Sequence, residues 1–171
     1  MKEKMLNAFN EQINREFYSA YLYLSMSAYL ASVKMKGMAN WAKVQYQEEL
    51  SHAIKMFDYV TTRGDNVILD EIQKPKTEWK SVEHVFTEIL NHERYITENI
   101  NNLMSIATEL NDYASIQFLQ WFVAEQVEEE ANAQDILDQL SLIGDSRQGL
   151  VMLDKELGQR TFVDETKTEG E

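Results

Sequence analysis

Four segments of this chain, each roughly 25–32 residues or about 40–48 Å at 1.5 Å per residue, repeat apolar side chains at alternating steps of three and four. Near the middle of each segment the apolar run is broken by acceptors. The first inward stripe reads Phe9, Ile13, Glu16, Ala20, Tyr23, Ser27, Ala31, and the second Met38, Ala42, Gln45, Glu49, His52, Met56, Tyr59. The third is Val82, Phe86, Ile89, Glu93, Ile96, Ile100, Leu103, Ala107, Leu110, and the fourth Ser115, Leu119, Phe122, Gln126, Glu129, Ala133, Ile136, Leu140. Glu93 is a single carboxylate in a run of eight apolar residues. Burying an unpaired charge costs several kcal/mol, and no Lys or Arg shares these stripes. A bound cation would neutralise them.

Helices this long are stable only when packed on one another. The first is expected over Lys4–Val33, with Lys34-Met35-Lys36-Gly37 as its exit, and the second over Met38–Arg63, stopped by Gly64. Asp65–Lys80, which holds the sole proline, Pro75, is too long for a helix–helix turn and can travel the length of a bundle. Ser81 caps a third helix reaching Leu110, and Asp112 caps a fourth reaching Ile143. Gly144-Asp145-Ser146 opens a short fifth helix ending near Gly158. A short link, a long crossover and a second short link join two antiparallel pairs. The expected fold is all-α: a four-helix bundle with one long crossover and a short fifth C-terminal helix, over residues 1–162 as one domain. The acidic tail 163–171 is expected to lack order.

Composition removes several function classes. Net charge is −13, which argues against nucleic acid, because phosphate binding needs clustered Lys and Arg; it suits cationic partners. Zero cysteines exclude disulfides, thiolate chemistry, Fe–S clusters and Cys-type zinc sites. No apolar run reaches the roughly 18 residues of a bilayer span, and Met1–Met5 does not begin a signal peptide, so no membrane is expected and the cytoplasm is the expected location.

Glu49-Leu50-Ser51-His52 places acceptors at i and i+3 on one helix face, and Gln126-Val127-Glu128-Glu129 repeats the spacing. With single carboxylates from the first and third helices, this is the di-iron carboxylate arrangement. Hard oxygen ligands with one imidazole favour iron or manganese, with zinc able to compete. Glu16, Glu49 and His52 are assigned to one metal, and Glu49, Glu93 and Glu129 to the other, with Glu49 bridging. Gln126 is a weak ligand or a hydrogen-bond donor to a bound water. Glu48, Glu125 and Glu128 lie off the stripe and form either a third, looser cation site or a solvated acidic face. Tyr23 is either a redox or hydrogen-bonding partner of the centre or a core tyrosine, and Trp121 is packing or redox-active. His84 and His92 fall off the stripe and are expected at the surface.

The segments Asn14–Tyr23, Gln47–Ala53, His92-Glu93, Phe118–Glu130 and Leu153–Leu157 resemble prokaryotic non-haem ferritins over Lys4 to about Phe162. That resemblance implies a hollow shell of 24 chains. It also implies a ferroxidase centre at Glu16, Glu49, His52, Glu93 and Glu129, with Gln126 behind it and a third iron site at Glu48, Glu125, Glu128 and Glu129. Fe²⁺ would be oxidised by O₂ or H₂O₂ and stored as ferric mineral. Leu50 stands where bacterioferritins carry a haem-binding Met, so no haem is expected. The tail Asp164–Glu171 is unlike the basic tails of the DNA-protecting mini-ferritins. A discrete di-iron oxidase and a structural shell chain are the rival readings.

Overall fold

The computed structural model describes residues 1–167, which form α1 (Glu3–Ser32), α2 (Lys36–Thr62), α3 (Val82–Glu109), α4 (Tyr113–Ile143) and α5 (Arg147–Leu157). Residues 168–171 of the expected disordered tail lie outside the described residues. Side chains cap three of the helices. Ser81 accepts from the His84 N–H, Asp112 from the Ser115 N–H and Ser146 from the Gly149 N–H, each satisfying one orphan donor of a first turn.

α1 packs along α2 and α3 along α4. The crossover decides how the two pairs combine. Asp65 pairs with the Met1 amine, the Ile68 N–H donates to Asn10, Asn14 donates to the Asp70 and Glu71 carbonyls, and Ser25 donates to the Lys76 carbonyl. Contacts that advance together along both segments mean the crossover runs parallel to α1, delivering the start of α3 to the C-terminal end of α1. α3 is therefore antiparallel to α1. Pro75 and Trp79 are the buried anchors of this strand, Trp79 lying 5.3 Å from Tyr29 and donating from Nε1 to Glu88.

The exit of α1 departs from expectation. Lys34, at φ 72°, makes the left-handed turn instead of Gly37, and α2 starts two residues earlier than its apolar pattern. Gly37 serves a close approach: a Cβ there would sit 1.6 Å from the Asp154 carbonyl oxygen of α5. The stripe of α1 also drifts. After Tyr23 burial passes to Met26 and Leu30, while Ser27 is half-buried and Ala31 exposed. A straight helix of 3.6 residues per turn leaves a 3.5-residue pattern within a few turns.

The apolar core is two blocks. One gathers Leu22, Tyr23, Met26, Leu30, Trp41, Phe86 and Ile136, and the other Met5, Phe9, Ile13, Met56, Ile96, Ile100 and Phe122. Between them lies a buried polar layer.

Candidate metal centre

Each helix supplies its polar residues to this layer by the same rule. Residues at i and i+3 or i+4 share a face. α1 therefore contributes Gln12 and Glu16, α2 Gln45, Glu49 and His52, α3 Glu93, and α4 Gln126 and Glu129. All eight are at most 4 % exposed. Glu16, Glu49 and His52 each offer a ligand atom lying within 4.8 Å of the others.

Glu16 Oε1 accepts from Gln12 at 2.7 Å, while Glu16 Oε2 and Gln12 Oε1 are buried with no donor. Glu16 also faces Glu49. Two buried carboxylates with an unfilled acceptor between them require a shared proton or a cation, which is the condition a metal pair meets. Burial raises the Glu49 carboxyl well above the ordinary range, and the charges of Glu93, Glu16 and Glu129 add to it. The same cause raises Glu16 and Glu129. Burial lifts Glu93 to about 7 against the hydrogen bonds from Tyr23 and Gln126, which pull it down. His52 is pushed down to about 4, chiefly by burial. Its imidazole is neutral at pH 7 and offers a lone pair. Trp121 and Phe122 clamp its ring edge-on at 5.4 and 6.0 Å.

Glu93 and Glu129 are held from behind. The Tyr23 hydroxyl donates to Glu93 Oε1, and Gln126 Nε2 donates to both the Glu93 carbonyl and Oε2 at 3.2 Å. Burial and nearby carboxylates raise the Tyr23 phenol well above its ordinary value, so it stays a donor. Gln45 Nε2 donates to Glu129 Oε2 at 2.8 Å. Such outer partners fix the orientation of prospective ligands.

Glu48, Glu125 and Glu128 line a small cavity of about 40 Å³ beside the layer, reached also by Glu129 and His52. Burial lifts Glu48 and Glu125 to about 7, Arg160 opposing the rise at Glu48 and Glu165 adding to it at both. A groove of about 980 Å³ lies under the crossover between Asn10, Asn14, Tyr18 and Tyr95, away from the carboxylate layer.

Sequence reasoning missed three participants. Gln12 sits one turn before Glu16, and that i, i+4 spacing was its available signal. Arg160 and Glu165 come from the segment after α5, where no periodicity points anywhere. His92 is a correction. It is half-buried rather than on the surface, with its Nε2 2.7 Å from Ser19 Oγ, its ring 6.5 Å edge-on to Tyr23, and its pKa pushed down to about 4 by burial. The small Ser19 on α1 leaves room for it. His84, also expected at the surface, is likewise half-buried, its Nε2 lying 3.1 Å from Glu88 Oε1.

A four-helix bundle with facing buried carboxylates on all four helices and one neutral imidazole defines a carboxylate-type metal-binding bundle. A family model described as the ferritin-like domain matches residues 6–143. The chain is 40 % identical over 162 residues to a bacterial non-heme ferritin of Staphylococcus epidermidis, covering 95 % of this chain and 98 % of the relative. It is 43 % identical over 160 residues to one from Bacteroides fragilis, covering 94 % and 99 %. An open-pore ferritin from the hyperthermophilic archaeon Archaeoglobus fulgidus superposes with TM-score 0.93 at 50 % identity, over 94 % of this chain and 99 % of that one. The chain belongs to the ferritin family. No helix among the described residues is long and apolar enough to cross a membrane.

Proposed function

We propose that this protein is an iron-storage ferritin that oxidises Fe²⁺ inside its own bundle and passes Fe³⁺ to a mineral held in a shell of 24 chains. Fe²⁺ is the substrate. Glu16, Glu49 and His52 take one ion, Glu49, Glu93 and Glu129 the other, and Glu49 bridges. The observation that carries this reading is the position of Glu49, close enough to Glu16 to share a proton and repelled by Glu93 and Glu129 as well. Two Fe²⁺ replace the protons that the metal-free layer must hold at neutral pH.

The chain's contribution is positional and electrostatic. Two ions held by one bridging carboxylate present two electrons to one oxidant. They reduce O₂ to H₂O₂, or H₂O₂ to two waters, with two protons consumed in either case. Tyr23 holds Glu93 and keeps its own proton near the centre, Gln126 orients Glu93, and Gln45 orients Glu129. Product Fe³⁺ leaves past Glu48, Glu125 and Glu128, whose cavity adjoins Glu129. The protein is read as cytoplasmic and without haem.

Aerobic Fe²⁺ loading of the metal-free protein, followed by iron counting on the size-separated particle, tests this. Hundreds of irons on a large assembly are expected. A ceiling near two per chain would turn the reading to a discrete di-iron oxidase. Glu49→Ala should abolish fast oxidation because it removes the bridge, and unchanged stopped-flow kinetics would falsify the ligand assignment.

A further inference from the structure

Gln45 is fully buried on α2, and its Nε2 donates to Glu129 Oε2 at 2.8 Å. A side-chain amide can be reversed so that its oxygen and nitrogen exchange places, and its neighbours decide which way it faces. The second neighbour of Gln45 is Arg160, whose Nη1 donates to Gln45 Oε1. A guanidinium has donors and no acceptor. In the reversed amide, NH₂ would meet guanidinium and oxygen would meet carboxylate, two contacts of like polarity. Arg160 therefore holds the amide in the orientation that serves Glu129.

Arg160 comes from outside the four-helix bundle, in the segment that follows α5, and it is fixed from several sides. Asn40 Nδ2 donates to the carbonyls of Arg160 at 2.9 Å and Gly158 at 3.4 Å, which pins the start of this strap to α2. The guanidinium lies 5.0 Å from the Trp41 ring centre, and its Nη2 donates to Glu48 Oε2 at 2.8 Å. Trp41, Gln45 and Glu48 follow one another at i, i+4 and i+7, so one side of α2 receives the whole fork. A planar fork laid on an aromatic ring and divided between two acceptors has little freedom to turn away.

We propose that Arg160 is a positioning residue for the metal ion that Glu129 holds: it fixes the Gln45 amide, and Gln45 fixes the Glu129 carboxylate. This rests on the reading of Glu129 as a ligand of the second ion. Arg160 touches no ion itself, and Asn40 serves the same end by pinning the strap that carries it.

The competing role for Arg160 is charge alone. Burial raises the Glu129 carboxyl, and the positive charge of Arg160 opposes that rise through space. A nearby positive charge also repels an incoming cation, so its removal by itself tightens binding. Loss of an orienting partner instead weakens binding, by about 10–100-fold. The two roles differ in sign.

The test is a Co²⁺ titration of the assembled, metal-free protein followed by visible absorption, which reports occupancy and coordination geometry without any oxidation. The wild type should take up two tight ions per chain. Gln45→Ala should weaken one of them by about tenfold and shift its absorption bands, leaving the other unchanged. Arg160→Lys keeps the charge, but its single ammonium goes to the Glu48 carboxylate in preference to the neutral amide. It should weaken the same ion with the same band shift, by no more than that factor. In the double variant the loss should not exceed that of Gln45→Ala, because Arg160 acts through Gln45. Wild-type or tighter binding in Arg160→Lys overturns the proposal, and so does an additive loss in the double variant. Asn40→Ala keeps the test open if the Arg160 variants fail to assemble. Freeing the strap should weaken the same ion to a smaller extent, and an unchanged titration there overturns the proposal as well. Absence of the two tight ions in wild type would instead overturn the di-metal reading, whatever the variants do.

Discussion

Glu93 shows how a single residue sets behaviour in solution. Its carboxyl is raised by burial to about 7, against the ordinary 4.5 of an unfolded chain. A raised acid binds more protons folded than unfolded, so its stabilisation is complete below 4.5 and is lost as pH rises through about 7. Glu48 and Glu125 shift over the same window, and Glu16, Glu49 and Glu129 shift in the same direction. The thermal midpoint of the metal-free protein should therefore fall as pH rises through that window, and Zn²⁺ should remove the fall; calorimetric scans with and without the metal decide it. Tyr23→Phe deletes one of the two side chains donating to Glu93 and should cost the metal-free protein about 1–3 kcal/mol, read from denaturant unfolding. At this scale the five ligand candidates were legible because each interrupts an apolar stripe. The residues holding them were less so: Gln45 was on a stripe without an evident role, and His92 was off it yet half-buried.

At the scale of elements, helix ends were the easiest to read, since capping is local chemistry. Ser81 and Asp112 cap as their sequence neighbourhoods require. Asp112 also pairs with Arg63 of the α2 exit at 3.1 Å. Asp112→Ala should therefore lose about 1 kcal/mol or more, measurable by chemical denaturation. Contacts between elements were not legible. Gly37 looked like a helix exit, but it is the point where α2 and α5 touch, with the Met38 N–H donating to Asp154 at 2.9 Å. Gly37→Ala must push α5 away, at about 1–3 kcal/mol for overpacking. Hydrogen exchange should show the loss of protection concentrated in Arg147–Leu157, with α1 and α3 unchanged. Equal loss in all helices would mean that α5 is no separate unit.

For the whole molecule, the division of the core into two apolar blocks around a carboxylate layer means that, on the proposed function, stability is coupled to cation binding. An ion bound only by the folded chain stabilises it by about 2.7 kcal/mol at one hundred times its dissociation constant. Chelation should therefore lower the melting temperature of a metal-loaded sample, and Glu49→Ala should blunt the effect. The sequence by itself determined the helices, their caps, the one long crossover and the depth at which the carboxylates lie. Those follow from periodicity and local bonding within a few residues along the chain. Tertiary structure alone decided that Glu16 and Glu49 face one another across α1 and α2 and that Lys34 rather than Gly37 makes the turn. It also decided that Arg160 and Glu165 come back over α2 and α4 to close the acidic cavity. Each joins residues far apart in the chain or depends on the space a neighbouring element leaves. A one-dimensional pattern holds no information about such distances until the helices have packed.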